Sequence, residues 1–176
     1  FVPVKLGGQG PDPMFAQYAA IAEALGQDTD TGAIADKRKA VDDARARIRS
    51  VAKKQDQLTV LLANFTAKIN YTSNSLGIAE MLNEDGLTLV GPDATGESSW
   101  AEVSWEKMSD YPADVVLVHD ASTDYEDNPV YKSLPAVKED QLGTWDDKRA
   151  YTYDGYAKWL NELGDVLESA KKIVKS

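Results

Sequence analysis

Leu58-Thr59-Val60-Leu61-Leu62-Ala63 and Ala113-Asp114-Val115-Val116-Leu117-Val118-His119 are the two stretches on which the fold turns. Both are nearly continuous apolar runs without polar alternation, the pattern of a strand covered on both faces in a parallel sheet. Helical signals separate them. Ser75 to Asn83 is amphipathic and closed by Asp85-Gly86, Leu87 to Val90 is a further strand, and Ser104 to Ser109 is a short helix. Downstream come a helical turn from Pro129 to Leu134, a strand from Leu142 to Trp145, and a closing helix from Tyr156 to Val174. That helix turns Leu160, Leu163, Val166, Leu167, Ala170 and Ile173 inward. This alternation predicts an α/β domain of three α/β/α layers, Rossmann-like, with a mostly parallel sheet. Ligands of such sheets bind beyond the carboxyl ends of the strands. The loops after Ala63, Val90, His119 and Trp145 are therefore the ones to inspect.

Toward the amino terminus, Phe1 to Leu6 reads as a strand and Gly7 to Pro13 as a turn-rich loop. Its glycines lack the P-loop lysine and the dinucleotide-binding spacing. Met14 to Leu25 is helical and stops at Gly26. From Asp36 to Gln55 a long helix carries a thin apolar stripe of Val41, Ala44, Ile48 and Val51. Its other faces hold Lys37, Arg38, Lys39, Arg45, Arg47, Arg49, Lys53 and Lys54, which reads as a solvated strut along the outside. The chain opens on Phe1, and a removed leader or a longer parent protein is the expectation.

The 176 residues are 43% hydrophobic, enough for one domain or for one lobe of a larger protein. With 19 Lys+Arg against 29 Asp+Glu the net charge is −10, which argues against nucleic acid as a partner. The absence of cysteine removes thiol catalysis, disulfides and thiolate metal sites, and a single histidine removes most His-rich metal sites.

Carboxylate pairs such as Asp42-Asp43 and Asp146-Asp147 read as solvated. His119, at the end of a buried strand, reads as a hydrogen-bonded structural residue before a base or a ligand. The serines lack the nucleophile-elbow pattern. What remains is aromatic. Tyr71 follows the first buried strand, Trp100 the second, and the segment Trp145 to Tyr156 (WDDKRAYTYDGY) supplies Arg149, Tyr151 and Tyr153. Aromatics gathered in loops on one sheet edge form an amphipathic wall suited to recognising a ligand rather than transforming it.

Ser104-Trp105-Glu106-Lys107-Met108 followed by Pro112 to Val118 resembles the "s-x-E-x-l … pDvv" segment of the extracytoplasmic iron–siderophore and cobalamin binding proteins of ABC importers. Pro129 to Leu142 (PVYKSLPAVKEDQL) is similar to that family's next signature. The region from Ile21 to Gln55 resembles its "i-x-x-lG" helix and the long helix that joins its two lobes. The resemblance implies a bilobed protein, of which residues 1–35 would be the remnant of the amino-terminal lobe, 36–56 the interlobe helix and 57–176 the carboxyl-terminal lobe. It implies a monomeric, non-enzymatic binder outside the cytoplasmic membrane, in the periplasm or on the outer face, reaching that membrane only through a lipid anchor and delivering its cargo to an ABC permease.

Within the family the likeness is to binders of ferric hydroxamates such as ferrichrome and ferrioxamine, with cobalamin or haem as the alternative and an α/β enzyme domain behind both. A ferric hydroxamate is already six-coordinate, so neither a protein metal ligand nor a further cofactor is expected. Trp100, Tyr71, Arg149, Tyr151 and Tyr153 would make the wall. By the same resemblance Glu106 would face the permease.

Overall fold

A computed structural model describes residues 10–55, 58–95 and 98–174. The expected Phe1–Leu6 strand lies outside the described residues. Two helices come first, α1 (Pro11–Ala24) and α2 (Gly32–Lys54). Pro11 suits the first turn of α1, where no N–H partner is needed, and Gly26 supplies the positive φ of 79° that ends it.

The sheet is built from β1 (Thr59–Phe65), β2 (Ile69–Thr72), β3 (Thr88–Leu89), β4 (Ala101–Ser104), β5 (Val115–His119) and β6 (Leu142–Trp145). Its parallel part runs β3-β1-β5-β6. Both strands that decided the reading are central, and every residue of β5 is buried. β3 pairs with the amino half of β1, while β2 pairs antiparallel with its carboxyl end, so two short strands share one edge of β1. β4 then adds antiparallel to β2.

β2 falls in a segment expected to be a loop, and β4 lies between the expected loop ending at Ser99 and the helix expected from Ser104. Ile69-Asn70-Tyr71-Thr72 is four residues long with a polar residue at every other position, too short for periodicity to show. Pairing with β1 and β4, not propensity, makes it a strand.

Helices cover both faces. On one, α2, α3 (Gly77–Glu84) and α6 (Tyr153–Ser169) enclose Val60, Leu62, Val115 and Leu117. On the other, a 3-10 helix (Trp105–Asp110), α4 (Pro129–Ser133) and α5 (Pro135–Lys138) enclose Leu61, Ala63, Phe65, Val116 and Val118. This is the expected three-layer α/β/α arrangement. Among the described residues no helix is long and apolar enough to cross a membrane.

The stripe of α2, Val41, Ala44, Ile48 and Val51, is buried as its spacing implied. Its basic residues are less solvated than expected. Arg45 is 14% exposed, bonding Asp85 at 2.7 Å and Asp12 at 2.7 Å, and Asp85 itself is 1% exposed. Burial works against the Arg45 charge, yet those hydrogen bonds outweigh it and raise its pKa. Arg47 reaches over α6 to Asp165 and Glu168, both at 2.7 Å. Gly164 permits the crossing, since a Cβ there would lie 3.0 Å from the Arg47 guanidinium.

The closing helix begins at Tyr153 and ends at Ser169, earlier at both ends than expected. Thr152 caps its start by accepting from Gly155 N–H. Its end is set by the tail's backbone, whose Lys171 N–H donates to Gln141 while the Ile173 and Val174 N–H groups donate to Asp114.

Candidate ligand-binding site

Parallel pairing of β5 with β6 places His119 opposite Trp145 at the carboxyl edge of the sheet. The rings meet edge to face at 4.8 Å. Trp100, in the bend just before β4, completes the cluster, 5.6 Å from Trp145 and 6.0 Å from His119. Trp145 is fully buried, and its indole N–H finds no partner among the described residues.

His119 is 4% exposed and bonded on both ring nitrogens. Its Nδ1 accepts the Ala121 N–H at 2.9 Å, so the ring proton sits on Nε2 and is donated to Asp147 Oδ1 at 2.8 Å. The 3.3 Å approach of the Asp147 N–H to Nε2 is then a close contact, since Nε2 has no lone pair to offer. The expected structural histidine is what the fold holds. The expectation of a solvated Asp146-Asp147 pair is corrected, because both side chains are only 28% exposed and Asp147 is anchored by a histidine distant in sequence.

A cavity of about 340 Å³ opens beside this cluster. Gly10 and Pro11 at the start of α1, and Leu76, Gly77 and Ile78 at the start of α3, form one side. Ser99, Trp100, Asp147, Tyr151 and Tyr156 form the other. Tyr151 stacks on Tyr156 at 5.8 Å with an interplanar angle of 11°. Burial pushes the Tyr156 hydroxyl well above its ordinary pKa, and the neighbouring Tyr151 adds to this. Burial raises Tyr151 as well, with the Asp147 carboxylate second. Both tyrosines therefore remain protonated hydrogen-bond donors at neutral pH.

Of the residues expected in the wall, Trp100 and Tyr151 line this cavity together. Tyr153 turns away to pack on Phe15 at 4.7 Å and lines a second, apolar cleft with Tyr18, Ile34 and Tyr151. Arg149 sits 5.7 Å above the Trp159 ring, its Nε buried without a partner among the described residues, and is not among the described cavity-lining residues. Tyr71 is half-buried within β2, paired with Asn64 and Glu102, and lines neither space. Sequence reasoning missed Asp147, Tyr156 and the Leu76–Ile78 turn. Tyr156 closes the WDDKRAYTYDGY run that had already been singled out. No local signal marks Asp147.

Glu106, on the first turn of the 3-10 helix, is exposed and forms no ion pair among the described residues. Its own N–H and the Ser104 hydroxyl hold its carboxyl below the usual range. The adjacent Trp105 indole donates to Thr66 O at 3.0 Å, which fixes this turn beside the β1–β2 connection.

His119, Asp146 and Asp147 bring one imidazole nitrogen and two carboxylates within 4.8 Å of one another. A divalent cation accepts such donors. Here Nε2 carries the proton that it gives to Asp147.

No curated protein matches the chain. Solved structures do. DesE, a ferric-siderophore receptor protein of Streptomyces coelicolor, is 27% identical with a TM-score of 0.80, covering 94% of this chain and 59% of its own. The siderophore periplasmic binding protein from the fuscachelin gene cluster of Thermobifida fusca is 19% identical at a TM-score of 0.72, covering 92% and 62%. FhuD2 of Staphylococcus aureus, solved with bound ferrioxamine B, is 23% identical at 0.59, covering 86% and 63%. The last two are likenesses of fold alone. The chain thus spans about three fifths of the length of these structures. Its residues 1–149 match the sequence model of the periplasmic binding proteins, and together with the sheet, the helical layers and the carboxyl-edge cavity this places the chain in the periplasmic binding protein family.

Proposed function

We propose that this chain forms one side of a ferric hydroxamate binding site and that the protein hands its ligand to an ABC importer for iron uptake. The cavity beyond the carboxyl edge, walled by Trp100, Tyr151 and Tyr156, carries the reading. Aromatic faces and phenolic donors hold an already coordinated ferric complex by surface contact and by hydrogen bonds to its oxygens. The likeness to a ferric-siderophore receptor protein supports it.

In this reading α2 is the helix between two lobes, and the residues before it belong with the amino-terminal lobe. The second lobe supplies the remaining contacts, and the ligand is enclosed between the two. The protein works outside the cytoplasmic membrane, and Glu106 on its exposed turn meets basic residues of the permease. Charges on a rim steer docking more than they add affinity.

The test is tryptophan fluorescence of the intact protein titrated with ferrioxamine B. Saturable quenching, weakened about tenfold or more by Trp100→Ala with the melting temperature little changed, is the expected result. No quenching by any ferric hydroxamate would overturn the reading.

A further inference from the structure

Among the described residues, Asp147 is the one charged residue that lines the cavity. Its surroundings set what it can do. One carboxylate oxygen is engaged by the His119 Nε2–H at 2.8 Å, and Nδ1 of the same ring is locked by the Ala121 N–H. The histidine thereby orients the carboxylate without neutralising it. The nearby basic side chains do not neutralise it either, since no ion pair among the described residues joins Lys148 or Arg149 to Asp147. Asp146 stands alongside, 3.8 Å from the same imidazole nitrogen, and adds a second negative charge nearby. Trp100 and Tyr151 line the same cavity.

An oriented carboxylate among aromatic rings is the chemistry that recognises an ammonium group. The carboxylate supplies the opposite charge, and the ring faces supply cation–π attraction in a partly desolvated space. We infer that Asp147 selects for a ligand bearing a protonated amine, which it holds between Trp100 and Tyr151. The inference rests on the siderophore reading and sharpens it to amine-bearing, cationic ferric hydroxamates over neutral or anionic ones. His119 acts as a positioning residue, through Asp147. The overall charge of −10 favours the same class of ligand.

Ferrioxamine B, with its terminal ammonium, and its N-acetyl derivative, which is neutral at that end, separate the two claims. Both are titrated into the intact protein and into Asp147→Asn, which keeps the shape and can still accept from His119. A second probe, n-pentylammonium, carries the amine without iron.

The wild-type protein is expected to bind ferrioxamine B about tenfold more tightly than the acetylated form. Asp147→Asn should abolish that preference, weakening ferrioxamine B about tenfold more than the acetylated form. Added salt should narrow the preference. Equal affinity of the wild-type protein for the two ferric ligands overturns the inference and leaves the siderophore reading standing. So does an equal loss of both in Asp147→Asn. If neither ferric ligand binds, the siderophore reading falls, and the amine is judged on the second probe alone. Saturable pentylammonium binding that Asp147→Asn removes supports it, and no such binding overturns it.

Discussion

Asp114 and Thr59 hold each other at the amino ends of the two central strands. The Thr59 N–H and hydroxyl donate to one Asp114 carboxylate oxygen at 2.7 and 2.8 Å, and the Asp114 N–H donates back to Thr59 O at 2.9 Å. The other oxygen takes the Ile173 and Val174 N–H groups, each at 2.7 Å, while Lys172 Nζ lies 3.1 Å from the oxygen that Thr59 bonds. A fully buried carboxylate thus ties β1, β5 and the tail after α6 together. Burial alone would raise its pKa, but the donors overcome that and hold it at about 2, below the ordinary 3.8. A depressed pKa contributes stability that is present above the unfolded value and is lost as pH falls through the folded one. Urea unfolding should therefore lose about 2 kcal/mol between roughly pH 4 and pH 2 from this group. Asp114→Asn should be about 2–3 kcal/mol less stable near neutrality and should remove that part of the acid dependence. An unchanged acid limb in the variant would show that the carboxylate is not its source.

Arg45 and Asp85 form a second buried junction, between α2 and the end of α3. With Asp85 1% exposed, removing Arg45 leaves a buried carboxylate with Arg49 alone at 2.6 Å. Arg45→Met should cost about 3 kcal/mol, and adding Asp85→Asn should recover part of it, because the uncompensated charge goes with it. Chemical denaturation of Arg45→Met, Asp85→Asn and the double variant measures this. Additive losses would contradict the coupling.

Gly10 meets Gly77 backbone to backbone where α1 and α3 begin. A Cβ on Gly10 would lie 2.5 Å from the Gly77 carbonyl oxygen. Neither side is a side chain that can swing aside. Gly10→Ala should therefore destabilise by about 1–3 kcal/mol. Both residues line the cavity, so it should also weaken ferric hydroxamate binding. Wild-type stability together with wild-type affinity would show that the contact relaxes freely.

Glu106→Arg reverses a charge on an exposed turn that makes no ion pair among the described residues. Melting temperature should move little, since surface substitutions away from special features stay within about 0.5 kcal/mol. Siderophore affinity of the intact protein should stay within about threefold, while iron uptake falls steeply. Parallel loss of affinity and uptake would place Glu106 in the ligand site instead of at a docking rim.

How far the sequence could be read follows the range of the forces involved. Leu58 to Ala63 and Val115 to His119 announce themselves because a strand buried on both faces needs apolar residues without a break, a local requirement. The buried stripe of α2 and the stops at Gly26 and Gly86 are equally local. β2 escaped because its strand character comes from Asn64 and Glu102 across the ladder rather than from its own four residues.

The site divides along the same line. Composition and spacing alone marked Trp100 and the Trp145–Tyr156 run as the aromatic supply of a binding wall. Which rings line the cavity was decided in three dimensions. Register in β2 commits Tyr71 to one face of the sheet, and a one-residue slip would reverse it. Packing on Phe15 draws Tyr153 off, and the Trp159 face draws Arg149 off. Asp147 looks like any exposed aspartate in a charged run. It becomes a cavity residue only because β5 and β6 pair in parallel and bring a histidine from 28 residues away to hold it. Local patterning can specify a buried strand or a helix stop. The environment of one carboxylate depends on contacts between distant segments, and those exist only once the sheet has formed.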